Sequence, residues 1–244
     1  MKNTVKETFL KHWKKYFDDA ELPLAAYYTD DEMIPENEPS TGGCLFADLN
    51  KVRNGTPLRF GLASIRCPGG RRYSGFTEAV GEGFEYFLSY GIPGDLEGER
   101  YKKSPELVRK LMRESPQFVA PGKFLVFKRW DQMDESDEPE LVIFFAEPDV
   151  ISGLFTLANY DVVEDGVVAP FGSGCSSIVM HPYQEGKMDR PRCVLGMFDP
   201  SARPHVGSSC LTFAVPMNRF IQMVENMPES FLITPTWGKI KKRL

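Results

Sequence analysis

The sequence predicts an α+β domain with a mostly antiparallel or mixed sheet and packed helices. At least six short runs carry strand patterns. Two of them, Phe124–Trp130 and Leu141–Phe145, flank the acidic segment Asp131–Glu140, which reads as an antiparallel hairpin with a long solvated connection. Several amphipathic helical stripes stand between the strand patterns. At 244 residues the chain lies near the upper size for one hydrophobic core, where roughly three quarters of the unfolded surface is buried. One domain over residues 1–244 is expected.

Composition narrows the class. Hydrophobic residues at 42%, charged residues at 26%, and a supply of 18 Phe, 9 Tyr and 3 Trp suit a soluble globular core. A net charge of −5 argues against general nucleic-acid binding, which needs a basic face. No apolar run is long enough to cross a membrane, and the N-terminus leads into a charged segment rather than a signal-peptide core. A cytoplasmic location follows as the expectation. Self-association into a homo-oligomer stays open.

The elements follow in order. Thr4 and Glu7 have capping-box spacing, and Val5, Phe9, Trp13, Tyr16 and Phe17 share one helical stripe. The lysines at 2, 6, 11, 14 and 15 then form a solvated face of that first helix rather than a membrane-binding one. Leu22, Leu24, Ala26 and Tyr28 alternate as a strand, and Asp30–Pro39 is a loop. From Cys44 to Asn54 the spacing is helical, with Gly55 as the stop. Leu58, Phe60 and Leu62 predict a strand running to Arg66 and Cys67, followed by a loop through Arg72. Phe84, Phe87 and Leu88 suggest a short helix. Ser104–Pro105–Glu106 opens another, which ends before Pro116.

In the second half, Cys175 opens a segment that Pro182 should stop. Arg192–Phe198 and Ser208–Val215 read as strands, Asn218–Met227 as a helix, and the basic tail from Trp237 as frayed. Phe145-Ala146-Glu147-Pro148 and Phe213-Ala214-Val215-Pro216 each end a strand and lead into a helix, with Asp149 and Asn218 as expected caps. The likeness raises an internal duplication, with halves at about 40–160 and 170–235. A recurring strand-to-helix turn explains it equally well.

The chemistry-bearing residues are few. Gly42-Gly43-Cys44 and Gly172-Ser173-Gly174-Cys175 each place a cysteine after glycines and in the first turn of a helix pattern, where unpaired amides and the helix dipole favour thiolate. Five cysteines without a CxxC pair do not form a disulfide framework. Cys193 and Cys210 lie in strand patterns and read as core. For Cys44, Cys67 and Cys175 three readings stand: buried core residues, ligands of a metal or iron–sulfur cluster with His181 as a candidate fourth, or nucleophiles with His181 or His205 as base.

The segment Arg66-Cys67-Pro68-Gly69-Gly70-Arg71-Arg72 combines glycines with three guanidinium groups, suited to a phosphate or carboxylate. Surface ion pairing explains the arginines as well. Neither a P-loop nor a GxGxxG pattern is present, and no carboxylate pair singles out a general acid and base.

Cys44 with the helix to Gly55, Cys67 after its strand, Cys175, the stretch Cys193–Arg203 and the Phe213–Met227 unit together resemble a bacterial and archaeal family, domain of unknown function 169. The resemblance covers most of the chain. It implies cysteines as a family theme and carries no established activity. The expected function is binding of a small anionic ligand or cofactor in a cleft lined by Arg66, Gly69, Gly70, Arg71, Arg72 and the cysteines. The alternatives are an iron–sulfur or metal-dependent redox enzyme, a thiol-dependent transferase or hydrolase, and a structural or assembly protein.

Overall fold

A computed structural model describes residues 3–39 and 43–244; Lys2 and Gly42, both named above, lie outside the described residues. The chain runs α1 (Asn3–Phe17), β1 (Leu24–Thr29), α2 (Leu45–Arg53), β2 (Leu58–Phe60) and α3 (Pro68–Tyr73). A small accessory unit follows: α4 (Phe84–Phe87), β3 (Gly91–Ile92), β4 (Leu96–Glu97) and α5 (Pro105–Glu114). Next come β5 (Phe124–Arg129), β6 (Leu141–Ala146), α6 (Pro148–Ala158), β7 (Val167–Val168), α7 (His181–Glu185) and β8 (Cys193–Gly196). The chain closes with β9 (Leu211–Pro216), α8 (Met217–Asn226) and α9 (Pro235–Lys241).

Seven strands form one sheet in the order β2-β5-β1-β6-β9-β8-β7, antiparallel except for the β7–β8 pair, so the α+β class holds. Strand alternation loads both faces. Val142, Phe144 and Ala146 of β6 face a core shared with α1, α6, α8 and α9, around Phe9, Trp13, Phe220 and Trp237. Leu141, Ile143 and Phe145 face a second core under α2 and the turn Ser176–Met180. Because residues one apart point to opposite faces, one apolar strand supplies both cores. No helix among the described residues is long and apolar enough to cross a membrane.

The structure corrects several expectations. β5 and β6 are not a hairpin: β1 lies between them, with Ala26 paired to Phe127 on one side and Leu141 on the other. An eleven-residue connection easily spans the about 10 Å between alternate strands. It is pinned by Lys128, whose Nζ donates to both Asp137 carboxylate oxygens at 2.8 Å and to Asp134 at 3.1 Å. The β2 strand stops at Phe60, because Ser64 Oγ captures the Gly61 N–H at 2.7 Å in a tight turn. The segment after Cys67 is a helix, not a loop. Pro68 at its first position favours that start, and Gly70 fits because a Cβ there would lie 2.8 Å from Ile65 Cγ2.

Pro182 does not stop its helix either. Residues 174 and 175 are already helical, Ser176–Met180 form a π-turn, and α7 continues through the proline. A proline removes one N–H and crowds the carbonyl four residues back; the wider π-turn accommodates both defects. α6 and α8 start directly after their strands, capped at Glu147 and Pro216 rather than at Asp149 and Asn218. Both helices pack on the same face, and β6 pairs with β9. The tail is docked: Trp237 is buried and its Nε1 donates to the Tyr16 carbonyl at 2.8 Å.

Candidate functional site at the cysteine pole

Three helix openings meet on the second face of the sheet. Cys44 is the N-cap of α2 and Cys67 the N-cap of α3, both in extended backbone conformation. The segments leading into them touch: Gly43, at φ +64°, lies so close to Arg66 that a Cβ would stand 2.9 Å from Arg66 Cβ. Cys175 sits in the first turn of the helix carrying the π-turn. Gly174 before it packs on α2, since a Cβ there would be 2.5 Å from Phe46 Cε2.

A fourth group comes from the loop after β8. Asp199 Oδ2 accepts the Gly174 N–H at 3.0 Å, while Oδ1 accepts from Ser201 N at 3.0 Å and Ser201 Oγ at 2.7 Å. Met197, two residues earlier, is buried at φ +74°. A bulky residue in that region carries a conformational cost, as does a π-turn, and such costs gather at functional sites. Here Gly43, the π-turn and Met197 each flank one of the converging groups.

The three thiols and Asp199 also act on one another electrostatically. Burial pushes the Cys44 thiol up; the Phe46 and Ala47 amides pull it down, and Cys67 and Asp199 push it up again. Burial holds the Cys175 thiol well above its ordinary value, and Cys67, Cys44 and Asp199 add to the shift. The helix-start effect expected to favour thiolate is thus present at Cys44 and outweighed by desolvation. Tyr73, at the end of α3, is raised by burial, lowered by Arg72, and feels Cys175 and Asp199 in turn. The leading charged neighbours of both sulfurs are acidic.

The other predicted residues stand differently. Arg71 Nε donates to the Ile65 carbonyl, and Arg72 Nη1 to the Glu78 carbonyl, so both guanidinium groups brace backbone rather than form surface ion pairs. Gly69 is half-buried and Gly70 buried. Arg66 is exposed, with no side-chain partner among the described residues. Arg203 donates to the Cys210, Gly207 and Ser208 carbonyls and shapes that loop.

His181 lines a separate cleft of about 530 Å³ with Val168, Pro170, Met188 and the Glu185–Arg192 ion pair at 2.6 Å. Burial lowers its pKa, with Glu185 opposing. His205 ends a short 3₁₀ turn, its carbonyl accepting from Asn50 Nδ2 at 3.2 Å. Cys193 is core on the opposite face, 3.7 Å from Met223 Sδ, and Cys210 is buried beside Leu211. Asp199 and Tyr73 were not singled out in the sequence; an Asp-Pro-Ser turn signal at 199–201 was the only local cue. Among the described residues no group of three or more His, Cys, Asp and Glu side chains is spaced to hold a metal ion.

Fold and site together define a class: an α+β protein, helices on both faces of its sheet, with three thiols and a carboxylate gathered at helix openings. The family model described as uncharacterised ArCR, domain of unknown function 169, matches residues 14–226, and the chain belongs to that family. No curated protein and no solved structure matches it.

Proposed function

We propose that this is a cytoplasmic cofactor-binding protein in which Cys44, Cys67 and Cys175 hold an iron–sulfur cluster. One observation carries the reading: the segments bearing three thiols and a carboxylate pack against one another, Gly43 on Arg66, Gly174 on Phe46 and the Gly174 N–H on Asp199, and the leading charged neighbours of Cys44 and Cys175 are acidic. Such a set is costly if ionised and empty, and well matched if a cationic occupant neutralises it. A free nucleophilic thiol calls for the opposite environment, with a basic neighbour lowering its pKa.

Ligands carried by three separate helix openings suit a cluster better than a single ion. Zinc–sulfur bonds of about 2.3 Å put tetrahedral thiolates about 3.8 Å apart. A 4Fe–4S cluster interposes its own irons and sulfides, so its cysteines stand further apart while still facing one point. The five unpaired thiols suit a reducing compartment.

Anaerobic reconstitution with iron and sulfide tests the proposal. The expected product is brown, carries iron and acid-labile sulfide, and loses both in Cys44→Ser, Cys67→Ser and Cys175→Ser but not in Cys193→Ser. Colourless, iron-free protein from that preparation would sink it. Arg66, unpartnered at the solvent edge beside Gly43, supports a second reading in which a small anion binds there. Isothermal titration of inorganic phosphate into Arg66→Ala and unmodified protein checks it, with equal heats counting against it.

A further inference from the structure

The cleft beside α7 lies apart from the cysteine pole and has the make-up of a small-molecule pocket. At about 530 Å³ it falls in the size range of such pockets, which combine mostly apolar walls with a few convergent polar groups. Val168, Ala169 and Pro170, from the end of the edge strand β7, form the apolar wall together with Met188. His181, Glu185 and Arg192 form the polar one.

Arg192 is gripped along one edge only. A guanidinium carries five N–H donors. Glu185 accepts from Nε at 3.1 Å and from Nη2 at 2.6 Å, and the same carboxylate accepts the Arg192 backbone N–H at 3.0 Å. The second Nη2 donor and both donors of Nη1 make no hydrogen bond among the described residues. One from each nitrogen lies along the edge away from Glu185, with the fork spacing that matches a carboxylate. The half-buried His181 ring is likewise without a hydrogen-bond partner among the described residues. Burial keeps it neutral, with Glu185 opposing, so it offers one donor and one acceptor.

Charge limits what fits. Arg192 is the one cation among the described residues lining the cleft, and Glu185 offsets it, with Asp165 as a further acidic neighbour. Lys187, next to Met188, lies over the Tyr183 ring at 4.3 Å, and Arg190 is paired with Glu164. A single negative charge is accommodated there, whereas a dianion meets Glu185 without a second cation. From this arrangement we infer that the cleft binds a monocarboxylate with an apolar body, its carboxylate on the free edge of Arg192 and its body against Val168, Ala169, Pro170 and Met188. The inference is independent of the cluster reading.

Isothermal titration with octanoate tests it, on unmodified protein, Arg192→Gln and Ala169→Trp, with octanol and octyl phosphate as comparison probes. Ala169 is exposed, so an indole there fills the cleft without entering the core, and circular dichroism checks that each variant is folded. The expected result is one saturable octanoate site, weakened about tenfold or more in Arg192→Gln and abolished in Ala169→Trp, with octanol about tenfold or more weaker than octanoate on unmodified protein. Absence of saturable octanoate binding overturns the inference. So does binding that either variant leaves intact, since octanoate then sits elsewhere. Octanol or octyl phosphate binding as tightly as octanoate overturns the assignment of a monocarboxylate. If Arg192→Gln does not fold, Ala169→Trp and the two comparison probes still decide.

Discussion

Gly196→Ala gives the sharpest check on how the Cys175 helix is seated. Gly196 closes β8 under the π-turn, and a Cβ there would stand 2.1 Å from Ser177 Oγ, 2.4 Å from Ser177 Cβ and 2.8 Å from Thr212 Oγ1. Ordinary carbon contacts are about 3.5–4.0 Å, so Ser177 must retreat by more than about 1 Å. Neither neighbour can swing aside, since Ser177 and Thr212 are both buried and short. Overpacking of this kind costs about 1–3 kcal/mol, and replacing a strand glycine returns roughly 0.5–1 kcal/mol. A net loss of about 1 kcal/mol lowers the melting temperature of a chain this size by about 2–4 °C. Thermal unfolding followed by circular dichroism reads the shift. Because Ser177 lies two residues after Cys175, iron retention should fall along with stability. Ser177→Gly removes both closest atoms, and the double variant should recover part of the loss as a coupling of at least about 0.5 kcal/mol. An unchanged melting temperature in Gly196→Ala, or no recovery in the double variant, would refute the packing of the π-turn on β8.

Two further outcomes follow from the buried groups. Burial raises the Cys175 thiol well above its ordinary 9.0, so the folded chain favours its protonated form. That stabilisation is complete below pH 9 and is lost as the pH climbs through the raised value. The metal-free protein should therefore lose stability above about pH 9, with a shallower decline in Cys175→Ala, as read by urea unfolding across the alkaline range; parallel declines would contradict the burial. Separately, Lys128→Met leaves Asp137, 3% exposed, without its ammonium partner, although Tyr27 still donates to it. The Asp134 N–H also stays on this carboxylate, so the loss is that of charge-assisted hydrogen bonds, about 1.5–3 kcal/mol by chemical denaturation, and a loss under about 1 kcal/mol would make the pair a surface contact.

What could be read in advance was local, and what could not was mostly relational. The apolar run of β6 and the alternation of β1 announce strands, but nothing in either announces that β1 inserts between β5 and β6, because strand order depends on which faces the helices cover. Cys44 and Cys175 were legible as helix openers from the glycines before them. α3 was hidden by Gly69 and Gly70, residues that weaken a helix pattern, and Gly70 is needed because Ile65 crowds its place. Without α3, Cys67 read as a cysteine at the end of a strand rather than a third helix opener. The convergence itself comes from the layering: α2, the Ile65 turn before α3 and the π-turn all cover the same face of the sheet. Asp199 carried only a turn signal, and its importance lies in Met197, whose positive φ is invisible in the residue name. Met197 and the π-turn are conformations the chain adopts against its local preference, and they flank the segments that carry Asp199 and Cys175.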